Sequence, residues 1–257
     1  MNRWRSGAAL ALTTLTVVPV PSRWRVGVDR RSAGAAMLLA PVVGLLIGAV
    51  AALIVAATPR GSVLGPALAL LALATLTRGL HLDGLTDTVD GLASYRSPEG
   101  ALEIMRTGGA GPLGVAALVL VLLVDAGALE TAARVGGGPS AAVVGCLAGR
   151  LAVPLACTPA TRSARTEGLG ALVAGTVSPV ASWGAALLGV AVAATVGGLA
   201  HGSASAAARA AAALLVALAS SEVLRRHAVR RLGGITGDVL GALVELGTCA
   251  ALVVLAV

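Results

Sequence analysis

The sequence predicts an all-α, polytopic integral membrane helical bundle, and three observations support this fold class. Apolar residues make up 57% of the 257-residue chain, and the mean hydropathy is +0.91. Charged residues make up only 12%, about half of their usual share in a soluble domain. The apolar residues form continuous runs rather than short segments of alternating polarity, which favours helices over a β-barrel. We therefore expect a single membrane domain over residues 1–257.

Seven apolar runs predict about seven transmembrane helices, because one crossing needs about 20 mostly apolar residues. An earlier run at residues 6–20 is shorter, ends in prolines and is not followed by a signal-peptide cleavage pattern. We interpret this run as a re-entrant or interfacial helix. The seven longer runs lie at 33–57, 62–77, 112–129, 140–157, 178–200, 203–223 and 238–257.

The arginines predict the orientation of the helices. Threading seven spans places residues 21–32, 78–111, 158–177 and 224–237 on one side, and arginine excess marks the cytoplasmic side. We expect a multi-pass protein of the bacterial cytoplasmic (inner) membrane, with its active site facing the cytoplasm and a catalytic helix-loop segment at about 78–111. The arginines on this side are Arg23, Arg25, Arg30, Arg31, Arg78, Arg96, Arg106, Arg162, Arg165, Arg225, Arg226, Arg230 and Arg231.

The net charge of +7 therefore has a topological explanation. Nucleic-acid binding would need a solvated basic face with stacking rings, and the chain has no Phe, one Tyr and three Trp. We expect no nucleic-acid partner. The three cysteines lie inside apolar runs without ligand-like spacing, so neither disulfides nor a zinc site are indicated.

Residues 81–92, HLDGLTDTVDGL, hold three aspartates and a histidine in a chain that is otherwise poor in charge. In a helix, the carboxylates of Asp83, Asp87 and Asp90 share an arc of about 60°. Like charges at this spacing repel one another, so a cation among them would explain the pattern. Mg²⁺ takes a few carboxylates, keeps several waters and bridges to phosphates. We predict a Mg²⁺ site here; the alternative is a solvated acidic face.

Further charged residues lie on the same predicted side. Thr236 can cap the last helix, and Asp238 beside it is either a helix-terminus acid or a fourth metal ligand. Arginines bind phosphate well, although they also serve as topology signals. Arg150 lies inside a span, where charge is unfavourable, and either contacts substrate or pairs with Glu245. The predicted substrate-binding residues are Arg106, Arg150, Arg165, Glu167, Arg230, Arg231 and Thr236.

Five motifs spread over nearly the whole chain resemble the cobalamin synthase family, the membrane-bound adenosylcobinamide-GDP ribazoletransferases. The most specific features are the H-L-D-G-L-x-D-x-x-D-G stretch and the late G-G-x-T-G-D turn, in that order within a polytopic chain. The motifs are VVPVPSRW (17–24), GLHLDGLTDTVDGL (79–92), ALEIMR (101–106), ARTEGLG (164–170) and GGITGDVLGALVELG (233–247).

The resemblance implies a Mg²⁺-dependent phosphotransfer in the last steps of vitamin B12 assembly. The 3′-hydroxyl of α-ribazole, or of α-ribazole 5′-phosphate, would attack the cobinamide phosphate of adenosylcobinamide-GDP, and GMP would leave. By position, Asp83, Asp87 and Asp90 would hold the metal, with Asp238 completing the site and His81 beside them as a further catalytic candidate. The expected partners are these substrates, the lipid bilayer and, as a possible homo-oligomer, a second copy of the chain.

The chain departs from the family pattern after ALEIMR, where many members carry an Asp-Ser pair and this sequence has Thr107, Gly108 and Gly109. If the family's acid belongs to the metal shell, Asp238 or Glu103 could replace it.

Three other functions, two enzymatic and one of transport, are alternatives for a chain with these features. A prenyltransferase would need a second Asp-rich motif, and a CDP-alcohol phosphotransferase would need wider spacing between its aspartates. A transporter would show inverted repeats meeting at the bilayer midplane, and no convincing repeat is present.

Overall fold

The computed structural model describes residues 3–21 and 27–257, so Arg23 and Arg25 of the topology count lie outside the described residues. Within those ranges the chain is helical, and β-structure is limited to one isolated bridge between Ser163 and Ile235. The helices are α1 Arg3–Leu15, α2 Arg30–Ala56, α3 Leu64–Leu76, α4 Leu80–Ala93, α5 Pro98–Ile104, α6 Pro112–Arg134, α7 Gly138–Ala156, α8 Gly168–Val173, α9 Pro179–His201, α10 Ala204–Leu232 and α11 Gly237–Ala256.

The membrane spans agree with the predicted number. Among the described residues, six helices are long and apolar enough to cross a bilayer: α2, α6, α7, α9, α10 and α11. The number is seven if α3, which is shorter than predicted, is counted with α4 as one broken span, with a bend of 88° between the two helices. The break falls at Arg78 and Gly79, whose φ angles of 56° and 66° turn the chain between the two helices. The expected polytopic helical bundle is therefore confirmed, with a broken second span.

The loops gather at two ends of the bundle, as alternating spans require. At the end that we call the arginine-rich end, Arg165 reaches the Leu102 carbonyl and Arg225 reaches Thr161 Oγ1, both over 2.9 Å. At the opposite end the connections are short turns near Arg60 and Gly136. Because α4 is bent by 88° from α3, it lies across the arginine-rich end.

The first helix, α1, has 13 residues, which gives it a length of about 20 Å, too short for a full crossing. It packs against α2 so closely that a Cβ on Gly7 would lie 2.6 Å from the Cβ of Ala35. The Arg78 guanidinium donates to the carbonyls of Thr13 and Thr14 at the end of α1. A short N-terminal helix is thus present as predicted, and it supports the break between α3 and α4.

Helix α7 lies at the centre of the bundle, packed against α2, α9, α10 and α11. Its buried side chains are mostly small, including Ala148 and Ala152. Small residues let membrane helices approach one another closely. This packing encloses Arg150, of which only 3% is exposed, and holds α11 firmly where its first turn meets α4.

Candidate active site

Helix α4 is docked between α11 and α6 by a close backbone approach. A Cβ on Gly84 would lie 2.7 Å from the carbonyl oxygen of Asp238, so only glycine permits this contact. The approach places the first turns of α4 beside the first turn of α11. Asp83 and Asp87 of α4 therefore lie next to Asp238.

These aspartates form an acidic cluster whose charge the protein neutralises only in part, through Arg165. Burial, followed by the charges of Asp83, Asp238 and Asp90, raises the pKa of Asp87 to about 6, and Arg165 opposes this rise. Carboxylate oxygens are the ligands that Mg²⁺ prefers, and Mg²⁺ usually keeps several waters. Among the described residues, no three His, Cys, Asp or Glu side chains are arranged to enclose a metal ion. A cation at this cluster would therefore take further ligands from water and substrate phosphate.

Asp90 has a different environment from the other aspartates of α4. Its Oδ2 accepts a hydrogen bond of 2.6 Å from the Gly111 N–H, and its Oδ1 accepts one of 2.8 Å from the Gly114 N–H. These amides belong to the start of α6, where helix N–H groups lack partners and negative charge is favoured. Asp90 therefore ties α4 to α6, which leaves Asp83, Asp87 and Asp238 as the carboxylates available to a cation.

The side chain of Asp238 is held by two neighbours. Arg165 Nη1 donates to Asp238 Oδ2 over 3.4 Å, and its Nη2 donates to the Leu102 carbonyl over 2.9 Å. Thr236 caps α11 by accepting the Val239 N–H, and its hydroxyl donates to Asp238 Oδ2 over 3.2 Å. The arrangement fixes one positive charge beside the acidic cluster.

The loops that carry Arg165 and Asp238 are joined by backbone hydrogen bonds. The Ala164 N–H donates to the Ile235 carbonyl over 3.0 Å, and the Ile235 N–H donates to the Arg162 carbonyl over 2.9 Å. Gly234 lies in this junction, where a Cβ would lie 2.5 Å from the Arg162 carbonyl oxygen. Two sequence motifs that start 69 positions apart, ARTEGLG at 164–170 and GGITGD at 233–238, thereby form one site.

His81 is buried beneath the acidic cluster rather than placed on its face. Only 4% of His81 is exposed, and its Nδ1 lies 3.3 Å from Nη2 of Arg150. Because arginine only donates hydrogen bonds, Nδ1 must accept and the ring proton belongs to Nε2. Burial, and then the charge of Arg150, lowers the pKa of His81 well below its usual value. His81 is therefore a neutral imidazole.

Arg150 makes its contacts with His81 and with Thr248, whose Oγ1 lies 3.5 Å from Nη1. The expected alternative, a direct pair with Glu245, is not among the ion pairs of the described residues. Arg150 does not line the cavity that adjoins Asp83 and Asp238, whereas His81 does. Arg150 is therefore connected to the site through His81.

Two hollows adjoin Asp83. The first, which we call the inner cavity, has a volume of about 190 Å³ and extends from Asp83, Arg165 and Asp238 towards buried apolar side chains. The second, which we call the groove, has a volume of about 640 Å³ and is lined by Asp83, Asp87 and residues of the loop after α5. The apolar side chains of the inner cavity are Leu15, Met37, Val153, Leu240 and Val244.

The remaining predicted substrate ligands are divided between the site and the surface. Glu167 lies at the start of α8 and lines the inner cavity. Arg106 pairs with Glu103 at 3.3 Å, and 72% of the Arg106 side chain is exposed. Arg230 is exposed on α10, and Arg231 donates to a backbone carbonyl near α5. These three arginines are not among the described residues that line either hollow.

Several residues that shape the site were not predicted from the sequence. Leu15 and Met37 come from the first two helices, and Ser163 comes from the loop before Arg165. Leu15 and Met37 are ordinary apolar residues within long apolar runs, so no local pattern distinguishes them. Their contribution depends on tertiary packing alone.

The fold and the site together define a polytopic membrane protein with an acidic, arginine-flanked site at one end of its bundle. The chain belongs to the cobalamin-5-phosphate synthase family, whose family model matches residues 7–256.

Curated relatives resemble the chain over nearly its full length. A protein of Frankia casuarinae is 43% identical over 97% of this chain and 94% of its own length. A protein of Nocardioides sp. is 43% identical over 98% of this chain and 96% of its own length. A protein of Citrobacter koseri is 37% identical over 92% of this chain and 93% of its own length. All three relatives are named adenosylcobinamide-GDP ribazoletransferase. No solved structure gives a significant match.

Proposed function

We propose that the chain transfers adenosylcobinamide phosphate from adenosylcobinamide-GDP to the 3′-hydroxyl of α-ribazole or α-ribazole 5′-phosphate. The hydroxyl oxygen forms a bond to the phosphorus attached to cobinamide, and the bond from this phosphorus to the GMP oxygen breaks. GMP leaves, the hydroxyl proton is released, and adenosylcobalamin or its 5′-phosphate forms. Family membership and the names of the relatives support this reaction.

The observation that carries the proposal is the convergence of Asp83, Asp87 and Asp238 where the inner cavity and the groove adjoin. A phosphotransfer between two bound substrates needs positioning and charge neutralisation more than covalent participation of the protein. Arg165 is fixed beside the same acids by its bonds to Asp238 and the Leu102 carbonyl. Its remaining N–H groups can donate to phosphate.

We propose Mg²⁺ as the cofactor, bound at the acidic cluster of Asp83, Asp87 and Asp238, where water and substrate phosphate would complete its ligands. Carboxylates of this cluster would supply the hard oxygen ligands that the ion prefers, and their mutual repulsion favours a bound cation. When bound, Mg²⁺ would neutralise charge on the diphosphate. The contribution of Asp90 is to keep α4 in place through the amides of α6, and that of Thr236 is to orient Asp238.

We also propose that the arginine-rich end faces the cytoplasm of a bacterial cell, with the spans in the cytoplasmic membrane. The proposal rests on the arginine excess at this end. A phosphotransfer between water-soluble substrates also fits an end that is open to solvent through the groove. A homo-oligomer stays a prediction from the sequence.

The test is turnover of adenosylcobinamide-GDP and α-ribazole by purified protein in nanodiscs, with Mg²⁺ or with EDTA, and with the variant Asp87→Asn. We expect cobalamin and GMP to form with Mg²⁺, and product to be lost with EDTA and in the variant. Glu130→Gln is the matched control, because it makes the same acid-to-amide change near the opposite end, where Glu130 pairs with Arg134. Absence of product from folded wild-type protein would contradict the reaction, and full activity in EDTA would contradict the metal.

A further inference from the structure

We propose that the inner cavity binds the aromatic base of the acceptor nucleoside, with His81 donating a hydrogen bond to that base, and that the groove receives the corrinoid donor. This assignment rests on the proposed function and specifies which substrate enters from which side of the acidic cluster.

The size and lining of the inner cavity favour a flat apolar ring. Its volume is about 190 Å³, enough for one bicyclic aromatic system and far too small for a corrin macrocycle. Its floor is apolar and closed, since Val244 is 0% exposed and Met37, Val153 and Leu240 are also buried. The base of α-ribazole is dimethylbenzimidazole, a bicyclic ring with two methyl groups. Burying such a ring among apolar side chains is favourable.

The imidazole of His81 supplies the polar contact that such a base requires. His81 lines the inner cavity, and Arg150 occupies its Nδ1, so that Nε2 carries the proton. Within the described part of the chain, the Nε2 donor makes no hydrogen bond, and it is not among the fully buried side-chain atoms that lack a partner. It is therefore a donor that is open to a molecule in the inner cavity. The unsubstituted ring nitrogen of a benzimidazole riboside is an acceptor that can satisfy it.

The polar residues at the opening of the inner cavity suit the sugar of the same nucleoside. Asp83, Asp238 and Arg165 lie between the apolar floor and solvent. A base seated on the floor would direct its ribose towards these side chains, where the hydroxyl must react. The groove is larger and shares Asp83 with the inner cavity, so a bulky diphosphate donor can approach the same acids from outside.

Arg150 acts in this arrangement as a positioning residue. It touches neither hollow, but its bond to Nδ1 selects the tautomer in which His81 can donate through Nε2.

The first test uses free dimethylbenzimidazole as an inhibitor of wild-type turnover. We expect competition with α-ribazole and no competition with adenosylcobinamide-GDP, because the base alone should occupy the inner cavity. Competition with the donor instead would overturn the assignment while leaving the proposed reaction intact, since wild-type turnover is measured in the same assay. Failure of the base to inhibit at any accessible concentration would also overturn it.

The second test compares two tryptophan substitutions, one in each hollow. Leu169→Trp narrows the inner cavity, and Ala110→Trp narrows the groove. We expect Leu169→Trp to raise KM for α-ribazole by about tenfold or more with little change in KM for the donor, and Ala110→Trp to do the reverse. An unchanged KM for one substrate shows that the variant is folded. Equal effects on both substrates, or the opposite pattern, would overturn the assignment.

The third test separates the hydrogen bond of His81 from its packing. Gln can place an amide N–H close to the position of Nε2, whereas Leu fills similar space without a donor. We expect His81→Leu to raise KM for α-ribazole by about tenfold and His81→Gln to raise it less. If Gln and Leu behave alike, His81 does not donate to the base.

Discussion

The two halves of α4, which we divide after Asp87, carry the same type of residue in two different environments. In the first half, Asp83 and Asp87 face Asp238 and the two hollows, and the pKa of Asp87 is raised to about 6 by burial and neighbouring acids. In the second half, both oxygens of Asp90 accept amide hydrogen bonds from the start of α6. One half therefore holds charge that is neutralised only in part, and the other half uses its charge to connect two helices.

This difference shows that spacing along a helix does not assign a role to an acid. Asp83, Asp87 and Asp90 share one helical face, but their partners come from different helices. Carboxylates that face other carboxylates destabilise the folded protein and are explained by a ligand. A carboxylate that caps a neighbouring helix stabilises the protein and needs no ligand.

The largest expected effect is on the acidic cluster that the first half of α4 forms with Asp238 of α11. Asp83→Asn and Asp238→Asn should each lower kcat by about a hundredfold or more, because each removes a charge from the proposed metal site. Thermal unfolding in detergent should show an unchanged or raised Tm, since each variant reduces repulsion in the acidic cluster. If both variants keep a kcat above about a tenth of the wild-type value, Asp83 and Asp238 do not bind the metal.

The next effect concerns the second half. Asp90→Asn should lower the free energy of unfolding by about 1–2 kcal/mol, because it removes a charged acceptor from the start of α6. The decrease should appear as a lower Tm, with much of the activity per folded molecule retained. A stable Asp90→Asn protein without activity would place Asp90 with Asp83 and Asp87 instead.

A smaller effect is expected from pH in the absence of metal. Asp87 binds its proton more tightly in the folded protein than in the unfolded chain, where its pKa is 3.8. Its contribution to stability is therefore present below about pH 4 and is lost as pH rises to about 6. Tm of the protein in EDTA should fall over this window, and Asp87→Asn should reduce the fall. The charged groups that face Asp87 are Asp83, Asp238, Asp90 and Arg165. If Tm falls by the same amount in Asp87→Asn as in the wild type, the pH dependence of Tm comes from these neighbours and not from Asp87.

The smallest effect is expected at Arg106, which pairs with Glu103 on the surface of α5. Exposed ion pairs contribute about 0–1 kcal/mol. Arg106→Ala should therefore leave Tm and both KM values close to those of the wild type. A marked rise in KM for either substrate would restore the substrate-binding role that the sequence suggested for Arg106.

The helical membrane bundle could be predicted from the sequence because the apolar runs and the arginines extend over the whole chain. An error of a few residues at the end of one run does not change the predicted fold class. The predicted span at 62–77 and the separate segment from residue 78 agree with the break between α3 and α4. The sequence did not predict the bend of 88° at this break, which depends on the positive φ angles of Arg78 and Gly79.

At the site, the sequence identified Asp83, Asp87 and Asp238 as candidates because acids are rare in this chain. It could not separate Asp90 from them, since the amides of Gly111 and Gly114 reach Asp90 only through tertiary packing. Adjacency along the chain suggested that His81 belongs with the acids. In the structure, His81 points instead to Arg150 of α7.

Direct metal binding tests the comparison between the two halves of α4 most sharply. Mn²⁺ can replace Mg²⁺ as a spectroscopic probe, and its binding to protein in detergent can be followed by electron paramagnetic resonance. We expect the wild type and Asp90→Asn to bind Mn²⁺ with similar affinity and Asp87→Asn to bind it at least about tenfold more weakly. Equal weakening in Asp87→Asn and Asp90→Asn, or no weakening in Asp87→Asn, would contradict the division of roles along α4.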